Sequence, residues 1–299
     1  MTKGILYTAL SALLYGIAPV FSAQTYAMGS NALTLTFYRE SMVLPLLLAV
    51  LLWRRVPLRV TPKQLAILSA VGFFFRGATT LMLNIAYRYI GVGAATTLHF
   101  MYPVFVALIC RFLFRERLGR ARVAALALAS VGVALFLEMG QGDGNAALGI
   151  GLSVASGLTF ASFMVAMDKT FLRQLDPFLV IFYTAGSMAM GMLLVNVPLR
   201  QIVFALPPKA LFYTFLVSVT SSFFALILLQ LGVRYLSATT VAVFSLLEPV
   251  SCAVAGAIWL GERFTVHKLL GSVIILAAAV LLAWAGQGEQ GKGESHDKK

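Results

Sequence analysis

A chain of 299 residues that is 60% hydrophobic and only 11% charged, with a mean hydropathy of +0.90, cannot cover a water-soluble exterior. Its net charge of +12 is dispersed through alternate loops instead of forming one basic block, which speaks against a nucleic-acid partner. The two cysteines, Cys110 and Cys252, sit in apolar runs without a second thiol or a histidine at ligand spacing, so neither a disulfide nor a zinc site nor any cofactor is implied.

Apolar stretches of about 20 residues, the length of a membrane-spanning helix, predict spans near 4–28, 31–53, 64–87, 91–114, 120–138, 148–169, 177–197, 210–233, 237–260 and 265–285. Turn and breaker residues separate them: Gly29-Ser30-Asn31, Arg54 to Pro62, Gly140 to Asn145, Asp176-Pro177, Pro207-Pro208 and Gly286. The first stretch has only Lys3 before it and no small-residue cleavage site after it, so it reads as a retained span and not as a signal peptide. Residues 286–299 are Gly, Gln, Ser and charged side chains with no apolar anchor, the composition of a disordered tail.

Sixteen of the 23 basic residues fall in one set of alternate loops and termini; five, Arg88, Arg200, Lys209, Arg263 and Lys268, fall in the other. The positive-inside bias then puts both termini in the cytoplasm of a plasma membrane, a bacterial inner membrane on this reading. Arg39 and Arg76 are the two basic residues left inside spans.

An internal repeat divides the chain. At an offset of 146, Arg88-Tyr89 falls on Arg234-Tyr235, Pro103-Val104 on Pro249-Val250, Ala107 on Ala253 and Glu116-Arg117 on Glu262-Arg263; at 145, Phe37-Tyr38 falls on Phe182-Tyr183 and Ser11 on Ser156. The halves are 1–138 and 148–285, five spans each. An odd number of spans reverses the direction of the second copy, which gives the inverted symmetry that lets secondary transporters alternate access. The predicted fold is therefore an all-α polytopic membrane protein, ten transmembrane helices in two inverted five-helix repeats around a central cavity.

The segments YRYIGVGAATTLHFMYPVFVALICRFLFRERL and VRYLSATTVAVFSLLEPVSCAVAGAIWLGERF resemble the two copies of an EamA-type domain of the drug/metabolite transporter superfamily. The resemblance covers residues 4–285. It implies a transporter of ten helices and leaves open the cargo, which in that family ranges over amino acids, sugars, nucleotide derivatives, choline-like cations and drugs.

Charged side chains inside a span are costly and face a cavity or a partner. Counted inward at about 1.5 Å per residue, Arg39 and His99 lie roughly 12 Å deep, Arg76 roughly 16 Å and Glu248 roughly 18 Å, one layer near the midplane. Helical spacing adds Thr80 and Asn84 on the stripe of Arg76, with Ser222, Leu226 and Gln230 on the repeat-equivalent stripe, while His99–Tyr102 and Ser245–Glu248 form a second equivalent pair. These residues either line a shared cavity or hold the bundle together by interhelical hydrogen bonds. Tyr15, Phe160 and Tyr183 are aromatic candidates for the same cavity. Arg39 is positioned to pair with Glu248 or with Glu40; Glu40, one residue on, points roughly 100° away from it. Glu138 and Asp168 lie near span ends and read as interfacial. Pro19, Pro45, Pro103 and Pro249 interrupt spans, and the equivalent pair Pro103 and Pro249 are either hinges or static kinks.

Both signs of charge in one layer suit a small zwitterionic, amino-acid-like metabolite, exported by alternating access; cationic quaternary-ammonium compounds or drugs are the alternative. His99 and Glu248 could carry a coupling proton, and exchange and facilitated diffusion stay open, as do monomer and homodimer. An enzyme is not expected: the chain lacks Walker A, HExxH and Gly-x-Ser-x-Gly signatures and has only the histidines 99, 267 and 296.

Overall fold

Proline and short polar side chains start the helices where the sequence breaks them. The computed structural model describes residues 2–116, 118–136, 145–261 and 265–296, with side chains for all of these except 88, 92, 93 and 285–296. Helix α1 is Thr2–Ala27 and α2 is Ala32–Trp53, its first turn capped by Asn31 accepting from the Thr34 amide. The third span is composite: α3, Pro62–Ala70, opened by a Thr61–Gln64 capping box, then a π-helical segment Val71–Gly77, then α4, Ala78–His99. Gly91, at φ 80°, breaks α4 into the end of this span and the start of the next; an L side chain there would be strained. The fourth span resumes as α5, Tyr102–Phe112, followed by α6, Arg120–Ala134.

The second half repeats the scheme. Helix α7 is Ala146–Lys169, capped by Asn145 and followed by a short 3-10 turn Phe171–Arg173, and α8 is Pro177–Leu199, capped by Asp176. Helix α9, Pro208–Val217, runs through a second π-helical segment, Ser218–Ala225, into α10, Leu226–Tyr235. Then come α11, Ala238–Ser245, α12, Leu247–Leu260, and α13, Val266–His296. Asn31 and Asp176 are repeat-equivalent caps, and Pro62 and Pro208 are equivalent first-turn prolines.

Among the described residues there is no strand, and nine segments are long and apolar enough to cross a membrane. The fifth predicted span is described as helix only over the 15 residues of α6; its expected continuation toward 138 lies outside the described residues, as do Glu138, Arg117, Glu262, Arg263 and residues 140–144. The expected disordered tail differs in backbone: α13 continues past Gly286 to His296. Extending a helix already nucleated by an apolar span fixes only one residue per added bond, so polar residues can follow it.

Packing between the halves is reciprocal. Helix α1 of the first half lies against α10, α11 and α12 of the second, and α7, its counterpart, lies against the first π-helical segment, α4 and α5; α2 packs on α8, and α6 on α13. Exchanging the halves maps these neighbours onto themselves, as an inverted repeat requires. The α1–α12 contact is close because Gly16 has no side chain, and a Cβ there would stand 1.8 Å from Ser251 Oγ.

The fourth and ninth spans both break at midpoint. Helix α4 ends at His99 and α5 begins at Tyr102, while α11 ends at Ser245 and α12 begins at Leu247. Pro103 and Pro249 stand in the first turn after each break, where a missing N–H costs least, and their rings oppose continuation of the preceding helix. The two breaks are repeat-equivalent.

Candidate functional site

Glu40 is the hub of the buried charges. It is fully buried on α2, and three groups from three elements converge on its carboxylate. Arg76, from the first π-helical segment, donates from Nη2 to both oxygens, at 3.1 and 3.2 Å. Ser222, from the second, donates to Oε1 at 2.9 Å. Arg39 Nε lies 3.2 Å from the same Oε1. Arg76 also donates from Nη1 to Thr184 Oγ1 at 3.3 Å, and its guanidinium stands 5.9 Å from the Phe163 ring centroid. Removing a carboxylate from water unpaired costs several kcal/mol, so this satisfaction is what permits Glu40 to be there.

Of the two partners the sequence left open for Arg39, Glu248 and Glu40, the structure brings it to Glu40. Consecutive Cβ atoms do diverge, but both side chains are long enough to bend together, and a buried acid is drawn to the nearest cations. Arg39 accordingly pairs with Glu40 and not with Glu248. Two guanidinium groups on one carboxylate leave one positive charge in excess. Arg39 carries the more accessible of the two, its side chain 24% exposed against 9% for Arg76.

This cluster forms one wall of a small cavity of about 80 Å³. Tyr15, Arg39, Arg76, Thr80 and Phe160 line it, and Thr79, Phe163, Met188, Ser221, Ser222 and Leu226 complete the lining. Thr80 is turned back to the Arg76 carbonyl at 3.1 Å. The wall opposite the charges is thus largely aromatic and aliphatic.

His99 and Tyr102 lie behind Phe160. The Tyr102 ring meets Phe160 edge-on at 4.8 Å between centroids, and His99 stands 5.5 Å from Phe160 and 5.7 Å from Tyr102. His99 Nδ1 is 2.9 Å from Ser156 Oγ, on α7. Tyr102 Oη and Ser245 Oγ are buried without a hydrogen-bond partner. Glu248, in the first turn of α12, is half-buried, and its carboxylate makes no hydrogen bond or ion pair with a described residue. Tyr15 lines the cavity with Arg39 and Arg76 and also lies within the electrostatic reach of Glu248, which is not among the lining residues.

Three predicted residues lie elsewhere. Gln230 donates to Met167 Sδ at 3.1 Å and lines a separate recess with Leu172, Arg173, Val233 and Arg234, nearer the end of the bundle. Its stripe was right, but it stands more than a turn from Leu226, past the cavity floor. Tyr183 donates to the Leu58 carbonyl at 2.6 Å and secures the loop before α3; its neighbour Thr184 is the residue that turns inward. Asn84 is half-buried and not part of the lining. Asp168, read as interfacial, is buried in an ion-pair cluster. Thr184, Phe163 and Met188 carry no signal in the sequence; Glu40 did, as an acid inside a span.

A family model described as the EamA-like transporter family matches residues 2–138 and 147–284, two copies that meet the repeat boundaries. No curated protein matches. Among solved structures 29 chains match. One, described as "Crystal structure of protein", aligns with a TM-score of 0.80 at 15% identity over 96% of this chain and 98% of that chain, a likeness that speaks for the fold alone. With both of its halves matched and an inverted ten-span architecture around a charged cavity, the chain belongs to the EamA-like transporter family.

Proposed function

We propose that the protein is a secondary transporter that moves a small zwitterionic, amino-acid-like metabolite across a bacterial inner membrane by alternating access, in the direction of export, with both termini cytoplasmic. The observation that carries this reading is the cationic cluster with one charge in excess on the cavity wall; Glu248, within electrostatic reach of Tyr15, supplies a charge of the opposite sign. A substrate carboxylate satisfies Arg39, and a substrate ammonium satisfies Glu248. A net-neutral ligand then leaves the site better compensated than an empty one. Phe160, Phe163, Met188 and Leu226 offer an apolar surface for the rest of the molecule. Glu248, lacking a partner, is also the group best placed to take a coupling proton when no ammonium is present.

Flux of radiolabelled amino acids into proteoliposomes holding the purified protein tests the reading. Saturable uptake that is lost in Arg39→Ala and in Glu248→Gln supports it. Uptake confined to quaternary cations and indifferent to Arg39→Ala would replace it with the cation-transporter alternative, which the unpaired Glu248 beside Tyr15 and Tyr102 favours.

A further inference from the structure

At the end of the bundle that the charge bias places in the cytoplasm, five elements are tied by ions. Asp168, at the end of α7 with its side chain fully buried, receives Arg173 Nη1 at 2.8 Å on one oxygen; the other lies 3.0 Å from Lys169 Nζ and accepts the Ala238 amide, at the start of α11, at 3.1 Å. Lys169 also pairs with Glu116, beyond α5. Arg173 donates on to the Arg234 carbonyl at the end of α10, at 3.1 Å, and Arg234 in turn donates to the Leu175 carbonyl. Beneath the cluster Met167, Leu172, Gln230 and Val233 are all buried, and Cys110 and Ala238 are wholly so.

The repeat provides an internal control. At the offset of 145, Asp168, Lys169 and Arg173 fall on Ala23, Gln24 and Met28, none of them charged. The packed residues Met167 and Leu172 fall at the same offset on Ser22 and Ala27, and Gln230 and Val233, at 146, on Asn84 and Tyr87, which are half-buried or exposed. Glu262 and Arg88 keep the charge types of Glu116 and Arg234 in sequence, but the acid and the two cations of α7 and its following turn have no equivalents. In sequence, the second half therefore carries after its first span an acid and two cations that the first half lacks.

We propose that the Glu116–Lys169–Asp168–Arg173 cluster is a latch that holds the pathway shut at the end of the bundle where it lies, and that each transport cycle must open it. The idea rests on the alternating-access reading, since only a protein that opens to both sides has to release such a latch. Asp168 is the keystone because it joins α7 to α11, elements of the second half that border α5 of the first. The latch makes the state closed at this end the resting one.

Cys110 is a built-in reporter. It lies on α5 under the cluster, within the field of Glu116, Lys169 and Asp168, and is wholly buried. In membranes carrying the full chain, a membrane-impermeant maleimide is added to the face bearing the cluster and modification of Cys110 is mapped by mass spectrometry. Wild type is expected to react slowly. Asp168→Asn and Lys169→Met should each raise the rate by about tenfold or more, because removing one partner leaves a buried charge that no longer favours the closed form. Glu116→Gln, which leaves Asp168 paired with both Lys169 and Arg173, should raise it less than Lys169→Met does, a comparison that holds even where Asp168→Asn fails to fold. Ready labelling of wild type, or an unchanged rate in well-folded Asp168→Asn and Lys169→Met, overturns the latch. Labelling reads closure without any substrate, so an absence of amino-acid flux in proteoliposomes would remove the substrate reading and leave this result standing.

Discussion

Arg76 and Ser222 occupy equivalent positions in the two halves, and both donate to the same Glu40 carboxylate, at 3.1 and 2.9 Å. Each sits in a π-helical segment, Val71–Gly77 or Ser218–Ala225, where the widened turn shifts the face that the side chain presents. The inverted repeat has thus been made asymmetric at its centre: one half contributes a cation, the other a hydroxyl, and an acid on α2 that has no acidic counterpart in α8 joins them.

Glu40→Gln should be the most destabilising of the conservative substitutions in the cavity. It leaves Arg39 and Arg76 without their carboxylate, and breaking a buried pair costs about 3–5 kcal/mol. Thermal unfolding in detergent should show a fall in midpoint larger than for Ser222→Ala, which removes a single hydrogen bond worth about 1–3 kcal/mol to a charged group. Equal effects from the two would mean that Glu40 is not the hub.

Arg39→Ala should weaken substrate binding more than it weakens the fold. Its side chain is partly exposed to the cavity, and Glu40 keeps Arg76 as a partner. A binding loss of tenfold or more, about 1.4 kcal/mol, with a midpoint shift smaller than that of Glu40→Gln is the expected pattern in ligand-dependent thermal shifts.

Pro103→Ala and Pro249→Ala test whether the paired breaks move. We expect each variant to express normally and to turn over more slowly in proteoliposomes, because restoring an N–H lets α4 run on into α5, or α11 into α12. Unchanged turnover with normal expression would make the breaks static.

Tyr183→Phe should lower stability by about 1 kcal/mol, through the lost bond to the Leu58 carbonyl, and leave flux kinetics untouched. Gln230→Ala should likewise leave substrate affinity unchanged. An altered KM in either would return these residues to the cavity.

Much of the architecture was legible in the residue order because the bilayer enforces it. A span must be about 20 apolar residues long, its flanking charges follow the positive-inside bias, and an offset of 145 to 146 over an odd number of spans can only produce inverted halves. Pro103 and Pro249 even marked where two spans break. Of the cavity lining, Arg39, Arg76 and Thr80 were named from depth and helical spacing, and Tyr15 and Phe160 as aromatics that correspond in the repeat.

What the sequence by itself determined, then, is which segments are long and apolar enough to cross a membrane and how the two halves correspond. The tertiary structure decided the partners. Helical spacing gives the direction of a Cβ and not the end of a long side chain, so only packing could bring Glu40 onto Arg39, Arg76 and Ser222, turn Thr184 inward in place of Tyr183, and draw Asp168 into a buried cluster. A π-helical segment adds a residue to the turn without any sequence signature, and that shift re-aims everything on its face.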